Sequence, residues 1–193
     1  MKQFLFMALI GLTIWGLDAC GTEDPCAGVS CVNGACKEGT CDCEVGYTGA
    51  LCDEEKVPKS ISVSKMTIKK FPGDNLGGTW DNAENGLLPD LTIRVMDLQN
   101  KYFEPTNLTT QVHEDATEGQ LYDIPCNYKV SNLNSEVTIE VSDYDFDGLN
   151  PVFEFMGSIR LKFKDVYAGF PEVISLKSSS GKTEVDLTVS YIY

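Results

Sequence analysis

Along the chain, the rhythm of apolar and polar positions changes twice. From Phe4 to Leu17 the residues are apolar almost without a break. From Asp18 to Lys56 apolar residues thin out and cysteine and glycine take over; from Val57 onward apolar and polar residues alternate. A period of two marks a half-buried strand, because successive side chains of an extended chain point to opposite faces. Leu91, Ile93 and Val95 alternate in this way, as do Val137, Ile139 and Val141; Ile159, Leu161 and Phe163; and Val185, Leu187, Val189, Tyr191 and Tyr193. Ile61 and Val63 are followed by Met66 and Ile68, a change of parity that predicts a bulge. No stretch has the spacing of an amphipathic helix. Roughly eight short strands over residues 57–193, punctuated by Gly, Pro, Asn and Asp, predict an antiparallel β-sandwich long enough to bury a core.

The opening run falls short of the ~20 apolar residues that a membrane-spanning helix needs. With Lys2 before it and Leu17-Asp18-Ala19-Cys20 after it, the run has the layout of a secretory signal. The tetrapeptide resembles a bacterial lipobox, with Asp18 atypical of that motif. The resemblance implies a signal peptide over 1–19 and a lipid on Cys20 that attaches the protein to a membrane. It also implies an extracytoplasmic location as an outer-membrane lipoprotein at the cell surface. An ordinary signal cleaved nearby would instead leave Cys20 a plain thiol. Glu23-Asp24 resembles the acidic export tag of surface lipoproteins in some Gram-negative bacteria, and reads equally as a solvated linker.

Six of the eight cysteines fall between Cys26 and Cys52, with the spacing C-x4-C-x4-C-x4-C-x-C-x8-C. In an exported chain, that density is a disulfide framework, and spacing alone leaves 15 pairings open. The stretch Cys41-Asp42-Cys43-Glu44-Val45-Gly46-Tyr47-Thr48-Gly49-Ala50-Leu51-Cys52 resembles the end of an EGF-like domain. The resemblance implies the pairs Cys26–Cys36, Cys31–Cys41 and Cys43–Cys52. A module this short cannot bury enough surface to fold without such bridges. Its third gap, four residues long, predicts a stubby main hairpin and leaves no room for the residue that calcium-binding EGF modules carry there. The module therefore reads as a spacer. Residues 20–56 form one unit, and the charged, proline-bearing stretch Asp53–Lys59 leads into the second, 57–193.

Charge narrows the range of partners. Twenty-nine acidic residues against 15 basic ones give a net charge of −14. Such a chain has no basic excess with which to displace counterions from phosphates, so nucleic acid is not an expected partner. His113 is the only histidine, which disfavours a histidine-rich zinc site. No serine or cysteine sits in a nucleophile motif, so an enzyme is not expected. Cys126 reads as a buried free thiol on a strand.

The remaining chemistry lies in two acidic stretches. One runs from Trp80-Asp81 through Glu84-Asn85-Gly86-Leu87-Leu88-Pro89-Asp90 into the strand at Leu91. The other is a loop, Asp143-Tyr144-Asp145-Phe146-Asp147-Gly148 through to Glu154-Phe155-Met156-Gly157. Calcium takes six to eight hard oxygens in flexible geometry, which closely spaced aspartates at a strand end supply. Asp143 to Glu154 taken alone resembles an EF-hand loop, but strand patterns rather than helices flank it. Both stretches together, in strand order, resemble the C2 domain, a calcium-dependent membrane-docking β-sandwich. That resemblance implies a calcium cofactor held by Asp81 or Glu84, with Asp90, Asp143, Asp145 and Glu154, and Asp147 as a further ligand. Read as ordinary turn residues, the same acids would cap loop backbones. Leu87, Leu88, Phe146, Leu149 and Phe153 lie in the same stretches, where they either form apolar tips or pack on one another.

The expected protein is thus mainly β: a disulfide-rich EGF-like module, then a C2-like antiparallel sandwich. Its expected function is that of a cell-envelope lipoprotein whose calcium-bound acidic end engages a lipid headgroup, a glycan or a protein. The alternative is a structural module of an envelope complex, with calcium only rigidifying loops.

Overall fold

The computed structural model describes residues 24–81, 87–96, 102–103, 111–146 and 148–193; Cys20, Glu84 and Asp147 lie outside them. The described chain is mainly β, with one 3-10 turn at Phe163–Asp165. No helix among the described residues is long and apolar enough to cross a membrane.

The first unit is a small disulfide-rich module. Strands β1 (Gly34–Lys37) and β2 (Thr40–Cys43) form a short hairpin turning at Glu38 and Gly39; β3 (Tyr47–Thr48) and β4 (Glu54–Glu55) form a second, smaller one. The bridges are Cys26–Cys36, Cys31–Cys41 and Cys43–Cys52, the connectivity that the EGF-like resemblance implies. Each closes a loop of about ten residues, which in the chain-entropy picture stabilises by roughly 2–3 kcal/mol. Cys126 is free, and it is half-buried rather than fully buried.

The second unit is an antiparallel sandwich, of eight strands among the described residues. One sheet has the order β11 (Val173–Lys177), β12 (Glu184–Ile192), β5 (Ser60–Lys70), β8 (Tyr122–Val130). The other has the order β10 (Pro151–Lys162), β9 (Glu136–Phe146), β6 (Leu91–Met96), β7 (Tyr102–Phe103). The alternating residues of both sheets meet in a single core: Ile61, Val63, Met66 and Ile68 face Ile93, Val137, Ile139 and Val141, with Val185 and Leu187 completing it. The parity change in β5 is a bulge. Register slips between Val63 and Lys65, and the Ser64 hydroxyl donates to Thr188 O at 3.3 Å, so both apolar pairs reach the core. A second slip between Phe155 and Gly157 turns Met156 inward. Phe163 leaves the strand for the 3-10 turn, where it is buried.

The second acidic stretch is not a loop. β9 continues to Phe146 and β10 begins at Pro151, with Asp143 paired to Glu154 and Asp145 to Val152. Cross-strand pairing holds backbone polar groups that an open loop would leave to water, so the hairpin zips almost to its tip.

Candidate metal centre

Parity places the key carboxylate. Val137, Ile139 and Val141 are the inward-facing row of β9, and two residues further on the same row arrives at Asp143, which is 0 % exposed. On one side Asp143 pairs with Leu91 of β6, and on the other with Glu154 of β10. The acidic group therefore caps the open end of the core, between the sheets.

Asp81 comes to the same point from the β5–β6 connection. Its neighbour Trp80 is buried and donates its indole N–H to Pro72 O at 2.9 Å, while the Thr79 hydroxyl donates to Asp81 O at 2.7 Å. An indole fixed at both its apolar body and its polar handle is a rigid anchor for the residue that follows. Asp81 itself is 6 % exposed.

One carboxylate oxygen from each of Asp81, Asp143 and Asp145 lies within 4.8 Å of the other two. Two like charges at that range repel by about 3–4 kcal/mol at an effective dielectric near 20. Asp143 Oδ1 accepts the Asp90 N–H at 2.6 Å, but its Oδ2 is buried without a partner, as is Oδ2 of Asp81. Burial pushes the Asp81 carboxyl up to about 7, helped by a hydrogen bond shared with Asp145 and by the charges of Asp143, Asp145 and Asp90. Asp143 is pushed up to about 6, again chiefly by burial; the Asp90 N–H works against the shift, and Asp145, Asp90 and Glu154 add to it. Buried, unpartnered, mutually repelling oxygens are what a bound cation relieves.

The two remaining described candidates flank this trio and have partners of their own. Asp90 Oδ1 accepts the Asp115 N–H at 2.9 Å, and Asp90 is raised by burial against that bond. Backbone bonds between Leu91 and His113, and from Ala116 N to Pro89 O, hold the segment that supplies this donor. Glu154 Oε2 accepts from Asn75 Nδ2 at 2.9 Å. Asn75 was not a candidate from sequence: Asp74–Gly78 is legible as a turn, in which Asp74 accepts the Gly77 N–H, but its position beside Glu154 is tertiary. Glu84 and Asp147 fall outside the described residues.

On the outer face of the same sheet, Arg94 pairs with Glu140 and lies 4.3 Å over the Phe153 ring, which meets Tyr144 edge-on. These contacts brace both arms of the hairpin. Phe153 is thus packed, whereas Leu87, Leu88, Phe146 and Leu149 are exposed, at 45, 38, 63 and 85 %. The tips do not bury one another.

The calcium bond length gives a test of fit. An ion bonded at ~2.4 Å holds oxygens no more than about 4.8 Å apart, and the trio meets that limit. Fold and site together define a class: a disulfide-rich module leading into an antiparallel β-sandwich with a buried carboxylate cluster at one pole. No protein-family model and no curated protein sequence matches the chain.

Proposed function

We propose that this chain is an extracytoplasmic lipoprotein, held to the outer membrane through Cys20, whose sandwich binds calcium at its acidic pole and engages a partner there. One observation carries the reading: buried Oδ2 atoms of Asp81 and Asp143 that have no partner, in a trio of carboxylates spaced for a single hard cation. Asp81, Asp143 and Asp145 would hold the ion, with Asp90 and Glu154 contributing field and further oxygens. Bound calcium supplies positive charge at a fixed point, to which an anionic headgroup, a glycan or a protein carboxylate can add an oxygen. Two four-stranded sheets and acids at one pole support the C2-like reading, and the connectivity Cys26–Cys36, Cys31–Cys41, Cys43–Cys52 supports the EGF-like one. The exposed Phe146 and Leu149 beside the acids favour partner engagement over a purely structural role.

Calorimetric titration of the full chain tests the metal. Calcium should bind, and at a hundredfold excess over Kd should add about 2.7 kcal/mol, a melting shift of roughly 5–10 °C for a chain of this size. Magnesium should do less, because it requires a tighter octahedron and surrenders water reluctantly. The double change Asp143→Asn and Asp145→Asn should abolish the response. An unchanged melting temperature in millimolar calcium would show that the pole holds no calcium.

A further inference from the structure

The disulfide-rich module and the acidic pole lie at opposite ends of the molecule. β5 starts at Ser60, where Lys59 N donates to Ile192 O at the end of β12, and runs eleven residues to Lys70. From there the chain passes through Asn75 to Asp81. β10 runs the other way, from Pro151 beside the acids to Lys162; beyond the 3-10 turn, the segment Tyr167–Phe170 reaches the module. Strand length alone separates the two ends by roughly 33 Å. Within the module, Pro25 lies against the β1–β2 turn at Gly39, at the far end of that hairpin from Cys43, while Gly46 and Tyr47 touch the sandwich. The joint at Gly46 and Tyr47 thus lies at the end of the sandwich opposite the acidic pole.

The joint between the units is built. The Phe170 ring sits at the hub of four others: Tyr47 of the module at 5.4 Å, and Tyr167, Tyr191 and Tyr193 of the sandwich at 6.2, 5.5 and 5.9 Å. Phe170 takes a positive φ of 49° directly after Gly169 at 73°, in a turn closed by its N–H donating to Tyr167 O at 2.9 Å. A side chain at Gly46 would meet Phe170 Cε2 and the Tyr193 hydroxyl at 2.7 Å, so the module's backbone lies directly on the ring cluster. The Gly169 N–H donates to Glu55 Oε1 at 3.2 Å, and Lys56 N–H to Gly46 O at 2.7 Å stiffens the last residues before the sandwich. Linked units move relative to one another unless a large apolar interface holds them; here a cluster of five aromatic rings spans the joint.

We infer that the module is a rigid foot, clamped to the sandwich through Tyr47 and Phe170, which points the acidic pole away from the N-terminal anchor toward a partner on the far side, not the anchoring bilayer. The clamp follows from the contacts alone; the outward direction rests on the reading of Cys20 as the anchor.

Nitrogen-15 relaxation of the exported chain carrying Cys20→Ser tests the clamp. Module and sandwich amides should report one correlation time. Phe170→Ala should shorten the module's time severalfold while the sandwich's spectrum persists, and Tyr47→Ala, made from the module side, should do the same. A wild-type module that tumbles faster than the sandwich overturns the clamp. For direction, the chain is tethered by an N-terminal polyhistidine to vesicles of nickel-chelating lipid and phosphatidylcholine. A donor dye sits at Gly148→Cys in a Cys126→Ser background, and the acceptor is in the same bilayer. Energy transfer should be weak and should rise severalfold in Phe170→Ala; strong transfer in the parent overturns the outward pole. Both readouts are independent of calcium, so a failed calcium titration leaves them standing.

Discussion

Asp143 is a residue whose position in a pattern and whose chemistry conflict. Its place in the inward row of β9 buries it, and its charge resists burial. The conflict has a sign in pH. For Asp81 and Asp143 the folded state holds the proton to about 7 and about 6, whereas the unfolded chain releases it near 3.8. Between those limits the native state binds more protons, so stability in a calcium chelator should fall as pH rises from about 4 to about 7. Asp123, lowered by Lys65 and Thr67, acts in the opposite sense, and only as pH falls below its unfolded value. Thermal melts across that range should show the decline, and Asp143→Asn should flatten it. Calcium should reverse it, because the ion binds the deprotonated set. A chelated protein whose melting temperature rises steadily over the same range would contradict the burial of these groups.

At the scale of elements, the hairpin β9–β10 carries the site and the bulge in β10 shapes it. The extra residue, Met156, turns inward, and Gly157 then passes against Thr183, which is 1 % exposed. A Cβ at position 157 would collide with Thr183 Oγ1 and lie 3.2 Å from its Cβ. Thr183 is β-branched and enclosed, so it cannot rotate away cheaply. Gly157→Ala should therefore cost about 2 kcal/mol and lower the melting temperature by roughly 4–8 °C, and Thr183→Ser in the same chain should restore part of the loss. Differential scanning calorimetry of the single and double variants checks the pair; equal stability of Gly157→Ala and the parent would mean that the strands slide apart freely there.

For the whole molecule, the arrangement matters only if the N-terminal end is held. Palmitate labelling in a bacterial host should mark the wild type and spare Cys20→Ala; equal labelling of both would remove the anchor and with it the outward direction of the pole. The joint at Phe170 would remain, since it is made by residues of the module and the sandwich alone.

Local rules made much of this protein legible from its sequence. A period of two is a property of the extended backbone, so Val137–Val141 and Val185–Val189 announced their strands, and the parity break after Val63 announced its bulge. Cysteine density announced the bridges, because a short module has no other source of stability. Tertiary structure decided what depends on pairing and approach. Asp143–Glu154 reads as a loop until β9 and β10 zip through it, since no local signal reports how far a partner strand extends. Only the sandwich's open end brings Asp81, some sixty residues from Asp143, within reach of it, and only there do Asp90 and Glu154 find Asp115 and Asn75. The contact of Tyr47 with Phe170 is likewise invisible along the chain: aromatic packing is short-ranged in space and indifferent to sequence separation.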